Sequence, residues 1–191
     1  MTNIDHQKKT YPLYTTIIGT LSFFLIAFLM GLLGTVIGFD LNILPLLIAG
    51  VLAPLIMLSI LNIREKILLN VLISAITLVA AFIIAFLFGY IVAAIAPGDE
   101  NSILVNAAAI LVMNGIYGMV MGTLLFGKEA TRYFLGVTAL AGLFLGLIFT
   151  FTGDFKIIGM DFSYLYIITS FGVTLGLAIG LYRSRKHKTE K

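Results

Sequence analysis

Few side chains in this 191-residue chain could take part in bond-making chemistry, and those few lie outside the segments that could enclose a site. The only histidines, His6 and His187, sit in polar end regions, and there is no cysteine. The absence of cysteine excludes disulfides, thiol catalysis and thiolate metal sites. General acid–base catalysis needs a positioned titratable group, and a metal centre needs clustered ligands. No Asp, Glu, Lys or Arg falls inside any long apolar run. An enzyme is therefore not expected, nor are catalytic residues, a metal, a cofactor or a nucleic-acid partner. Proton-driven pumps and voltage sensors usually place ionisable groups within the membrane, so these mechanisms are disfavoured too. Asp40, Asp99, Glu100, Asp154 and Asp161 are scattered over three connecting segments without ligand spacing, and read as loop solvation.

The polar group best placed for a function is Asn114, near the centre of an apolar run and directly before Gly115-Ile116-Tyr117-Gly118-Met119-Val120-Met121-Gly122. An amide at that depth must face protein or water rather than lipid. It either bonds a neighbouring helix or contacts a ligand, with Tyr117 one helical turn away on the same side and Met121 nearby. Asn114, Tyr117 and Met121 are thus the candidate ligand-binding residues. Asn70 and Asn106 lie nearer the ends of their runs, where water or headgroups can satisfy them.

The elements that must hold these residues are membrane helices. Soluble domains carry about 25% charged residues; here 11% are charged, 60% are apolar and the mean hydropathy is +1.10. The first apolar run is far longer than a signal-peptide core and shows no convincing cleavage site, so it reads as a retained helix. Charged residues delimit six apolar runs, at about 14–39, 44–61, 67–96, 103–126, 133–151 and 164–182, with short tails 1–13 and 183–191. Each reaches or nearly reaches the roughly 20 residues that cross the hydrocarbon core. The expected fold is all-α, a single polytopic domain over 1–191 with six transmembrane helices. The second run is the shortest and carries Pro45 and Pro54, so a kink is expected at Pro54 and a re-entrant hairpin is the competing topology.

Basic residues set the orientation. With the N-terminus in the cytoplasm, Lys8, Lys9, Arg64, Lys66, Lys128, Arg132, Arg183, Arg185, Lys186, Lys188 and Lys191 all fall inside and only Lys156 outside. The positive-inside rule selects that arrangement, with both termini cytoplasmic in a multi-pass cell-membrane protein. The run from Arg183 to Lys188 is a topology determinant and could also attract anionic lipid headgroups.

Membrane helices associate by close backbone approach, so small residues should mark contact faces. Gly172, Gly176 and Gly180 recur every fourth residue in the sixth run, Gly142 and Gly146 do so in the fifth, and Thr77, Ala81, Ala85, Gly89 and Ala93 form such a row in the third. These faces serve either internal packing or a partner, whether another membrane subunit or a second copy. Gly31, Gly34 and Gly38 in the first run match Gly115, Gly118 and Gly122 in the fourth, both reading Gly-x-x-Gly-x-Val-x-Gly. Two sets of three spans would then be oppositely oriented, the inverted-repeat architecture of many transporters.

Two functions fit this reading. The first is a membrane transport component for a small uncharged or amphipathic solute; the second is a noncatalytic assembly subunit of a larger membrane complex. In size and number of spans the chain is similar to the substrate-binding subunits of energy-coupling-factor transporters, although no motif ties it to them. Lacking a nucleotide-binding loop, it would need a separate motor subunit for any ATP-driven step.

Overall fold

The computed structural model describes residues 3–37, 43–63, 67–95, 103–152, 156–157 and 160–189. Gly38 and the charged residues Asp40, Arg64, Lys66, Asp99, Glu100, Asp154 and Lys191 lie outside the described residues, as do the side chains of His6, Lys8, Lys9, Lys156, Asp161, His187 and Lys188.

The described residues form six α-helices: α1 Asn3–Ile37, α2 Ile43–Ile60, α3 Ile67–Ile95, α4 Ile103–Phe126, α5 Thr131–Thr152 and α6 Phe162–Thr189. A 3-10 turn, Lys128–Ala130, joins α4 to α5, and between α5 and α6 two residue pairs form a minimal antiparallel ladder, Lys156 opposite Asp161 and Ile157 opposite Met160. Hydrocarbon offers no partner to a backbone N–H or C=O, and helices satisfy those groups internally. Five helices are long and apolar enough to cross a membrane, and α2 is a shorter apolar sixth. The protein is a multi-pass helical membrane protein.

Two helices extend beyond their apolar runs. Both end regions are helical, extending α1 back to Asn3 and α6 on to Thr189. An established helix adds residues cheaply, since its costly nucleus already exists. Helix α2 runs unbroken through Pro54 and ends sharply at Asn62, which has φ +55°. There the Ile63 N–H donates to the Leu58 carbonyl (2.9 Å) and the Asn62 N–H to the Ser59 carbonyl (3.2 Å), the paired bonds of a Schellman stop.

Helices α1 to α5 form an arc in which neighbours in sequence are neighbours in space, and α6 closes it against α1, α4 and α5. The central position of α6 shows in its burial: 61% of its most apolar window is enclosed, against 22–39% in the other four long helices. Small residues explain the tightest pairs. Along α1 and α6, Gly19 meets Gly172, Gly176 lies beneath Thr15 and Thr16, and Gly180 meets Pro12, so these two helices are antiparallel. Along α4 and α5, Gly115 meets Leu135 and Ala139, Gly118 meets Thr138, Gly122 meets Phe134, and in return Gly142 and Gly146 meet Ile110 and Ala107. A Cβ on Gly146 would stand 2.6 Å from the Ala107 Cα, and one on Gly142 2.9 Å from the Ile110 carbonyl. Most of the small-residue faces read from the sequence are therefore occupied inside the bundle.

The glycine motif in α4 forms the face laid on α5, whereas the α1 glycine at the α6 backbone is Gly19, well before the matching motif. Within that motif Gly31 is buried and Gly34 partly so.

Candidate functional site

Helix α4 carries the buried polar centre of the bundle. Asn114 is fully enclosed, and its Nδ2 donates to the Ile110 carbonyl (3.0 Å) and to Ser170 Oγ on α6 (3.1 Å). Its Oδ1 accepts from Thr174 Oγ1 at 2.7 Å. One turn on, the hydroxyl of the fully buried Tyr117 shares a 2.7 Å hydrogen bond with Ser74 of α3. The Tyr117 ring lies edge-on to Phe171 (4.8 Å between centroids) and to Phe23 (6.2 Å). Met121 is fully buried one turn beyond. The three candidate residues thus share one face of α4, packed against α3 and α6. Asn114 takes the interhelical role, with both amide hydrogens and its oxygen engaged inside the protein.

Open space lies along the same face of α4, toward the start of that helix. Two adjoining chambers, about 280 and 180 Å³, share Ala85, Phe86, Asn106 and Ala109 and form a cleft between α3 and α4. The larger reaches Gly89, Tyr90 and Ala93 near the end of α3; the smaller is bounded by Ile110 and Met113, with Phe149 of α5 and Ile167 of α6. Its inner limit therefore rests on the turn whose carbonyl holds Asn114. Among the described residues helix α2 contributes nothing to this lining. Gly50 packs on the Ala75 backbone, and counting back at about 1.5 Å per residue brings Ile43 level with about Phe82. Helix α3 continues beyond that level to Ile95.

The cleft is chemically simple. Aromatic rings and alanines form its walls, Gly89 gives it depth, and among the described residues Asn106 is the one side-chain amide in the lining and no charged side chain takes part in it. A Cβ on Gly89 would make only ordinary contacts, 3.6 Å from Val105 and 3.9 Å from Ala109. Such a lining suits an uncharged guest with apolar surface.

Comparisons with family models, curated proteins and solved structures returned no match.

Reading by residue type alone missed the cleft. Asn106, half-buried near the end of its run, lines the cavity, and Asn70 is buried rather than solvated. The available signal was the small-residue row in α3. Its inner part, Thr77 and Ala81, is buried, while Ala85, Gly89 and Ala93 line the cleft.

The opposite end of the bundle is packed with aromatic rings. Phe126, Tyr133, Phe134 and Tyr182 form one aromatic cluster with centroid spacings of 4.9 to 6.3 Å. Arg183 locks it to the rest of the bundle, donating from Nη1 to the Tyr11 hydroxyl (2.6 Å) and more weakly to the Leu61 carbonyl (3.5 Å).

Proposed function

We infer that the protein is a membrane transport component that takes up a small uncharged or amphipathic solute in the α3–α4 cleft. The observation carrying this reading is the cleft itself: lined, among the described residues, by apolar side chains and one amide, and lying toward the end of the bundle opposite the packed aromatic rings. In this reading the chain spans the cell membrane six times with both termini in the cytoplasm. The distribution of basic residues supports that direction. The cleft then faces outward, the posture of a capture step. A three-plus-three inverted repeat belongs to the same reading. It is supported by the matched glycine motifs of α1 and α4, and by the opposite directions of those helices implied by their packing on α6.

Gly89→Leu tests the site, because leucine would fill the cleft without forcing the backbone. Small molecules released from the purified wild type should include a neutral species that is depleted at least tenfold in this variant, while Asn114→Leu changes stability and leaves that species bound. Identical small-molecule content in wild type and Gly89→Leu would sink the proposal.

The alternative is a noncatalytic subunit of a larger membrane complex. What favours it is the broad exposed side of α3, including Leu68, Leu72, Ile76, Phe86 and Leu87, where another membrane subunit or a second copy has room to pack. Stoichiometric copurification of other membrane proteins in mild detergent, with no bound solute, would favour this reading.

A further inference from the structure

We propose that the aromatic-packed end of the bundle carries a binding site for an anionic phospholipid, its headgroup held by Arg132 and Arg185 and one acyl chain lying along α5. This inference stands apart from the transport reading.

The basic residues at this end are not equivalent. Arg183 is turned inward, bonded to Tyr11 and Leu61, with its guanidinium 5.9 Å from the ring centroids of both Tyr11 and Phe126. Arg185 is exposed and stands 5.7 Å over the ring of Tyr133. Tyr133 follows Arg132 directly in the first turn of α5, so the aromatic ring brings the end of α6 to the edge where Arg132 emerges. Arg132, Lys128 and Lys186 are also exposed. In the α4–α5 turn and the last turns of α6, the only acidic side chain among the described residues is Glu129. The edge therefore keeps a clear positive excess, and it rides on ordered helix rather than on a loose tail, because α6 continues through Thr189.

What distinguishes a phospholipid from a soluble anion is the surface below the charges. From Arg132 an apolar track runs along the every-fourth-residue row of α5 through Gly136, Leu140, Phe144 and Ile148, all exposed. Gly136 sits on that track one turn from Arg132, and a Cβ there would meet nothing within 4 Å. The missing side chain leaves a shallow notch beneath the guanidinium edge. A headgroup phosphate can accept from two guanidiniums at the level of the aromatic belt while a chain follows the notch into the bilayer.

The test uses the full-length protein, purified, stripped of copurified lipid and titrated in detergent. The ligands are palmitoyl-oleoyl phosphatidylglycerol, the phosphatidylcholine with the same chains, and inorganic phosphate, with occupancy read by native mass spectrometry. Phosphatidylglycerol should bind well ahead of both others. Each basic side chain near an anionic headgroup contributes about fivefold in affinity, so R132Q/R185Q should weaken binding by about 25-fold. R132K/R185K should stay within about threefold of wild type, and K156Q at the far end should have no effect. Gly136→Leu, which fills the notch without touching the charge, should also weaken binding. Equal uptake of phosphatidylcholine, equal binding of inorganic phosphate, or wild-type affinity in a folded R132Q/R185Q protein would each overturn the proposal.

Discussion

At the residue scale, Asn114 shows what a lone amide does in a dry interior. With Ser170 and Thr174 as partners it pins α4 to α6, and interhelical bonds of this kind contribute about 1–2 kcal/mol in model systems and less in intact membrane proteins. Asn114→Leu should therefore lower stability by roughly 1–2 kcal/mol in detergent unfolding, and should be non-additive with Thr174→Val because both remove the same bond. Tyr117→Phe removes only the bond to Ser74 and keeps the ring between Phe23 and Phe171, so its cost should be about 1 kcal/mol or less. The depth of Asn114 was legible in the sequence; its partners were not. Ser170 and Thr174 look like ordinary membrane-helix hydroxyls until α6 is placed alongside α4. Asn70 proved buried because distance from a span's end does not reveal which side of the helix faces a neighbour.

At the element scale, glycines separate faces that must approach closely from faces that need not. Gly176 lies against the backbone of Thr15 and Thr16, so Gly176→Leu should prise α1 from α6 and cost about 1–3 kcal/mol or more through overpacking. Gly136→Ala should be neutral or slightly stabilising, since nothing opposes the added carbon and alanine favours helix. Thermal unfolding of the two variants side by side checks the contrast. The stop of α2 offers a second comparison. Asn62→Ala should cost about 1 kcal/mol because alanine resists the left-handed conformation, whereas Asn62→Gly should be tolerated. The repeated glycines of α5 and α6 were readable as contact faces from their spacing. That they face α4 and α1 was not, because spacing of four marks a face without naming its partner.

At the scale of the whole molecule, the helical membrane class was legible in composition and in the long uninterrupted runs, since burying a charged residue in hydrocarbon is costly enough to shape the entire sequence. The cleft was not, because it forms where α3 and α4 meet Phe149 of α5 and Ile167 of α6, a convergence that spacing along one helix does not reveal. A chain without cysteine gives clean single-cysteine labelling, and this bears most directly on the claim of an outward-facing cleft in a bundle whose aromatic-packed end lies toward the cytoplasm. Cysteines replacing Ala93 in the cleft, Lys156 in the α5–α6 connection and Lys186 beyond the aromatic cluster are to be probed in intact cells with a membrane-impermeant maleimide. The expected result is labelling of Ala93→Cys and Lys156→Cys from outside, labelling of Lys186→Cys only after permeabilisation, and slower labelling of Ala93→Cys when Gly89→Leu is added. Labelling of Lys186→Cys in intact cells with Ala93→Cys and Lys156→Cys protected would contradict it.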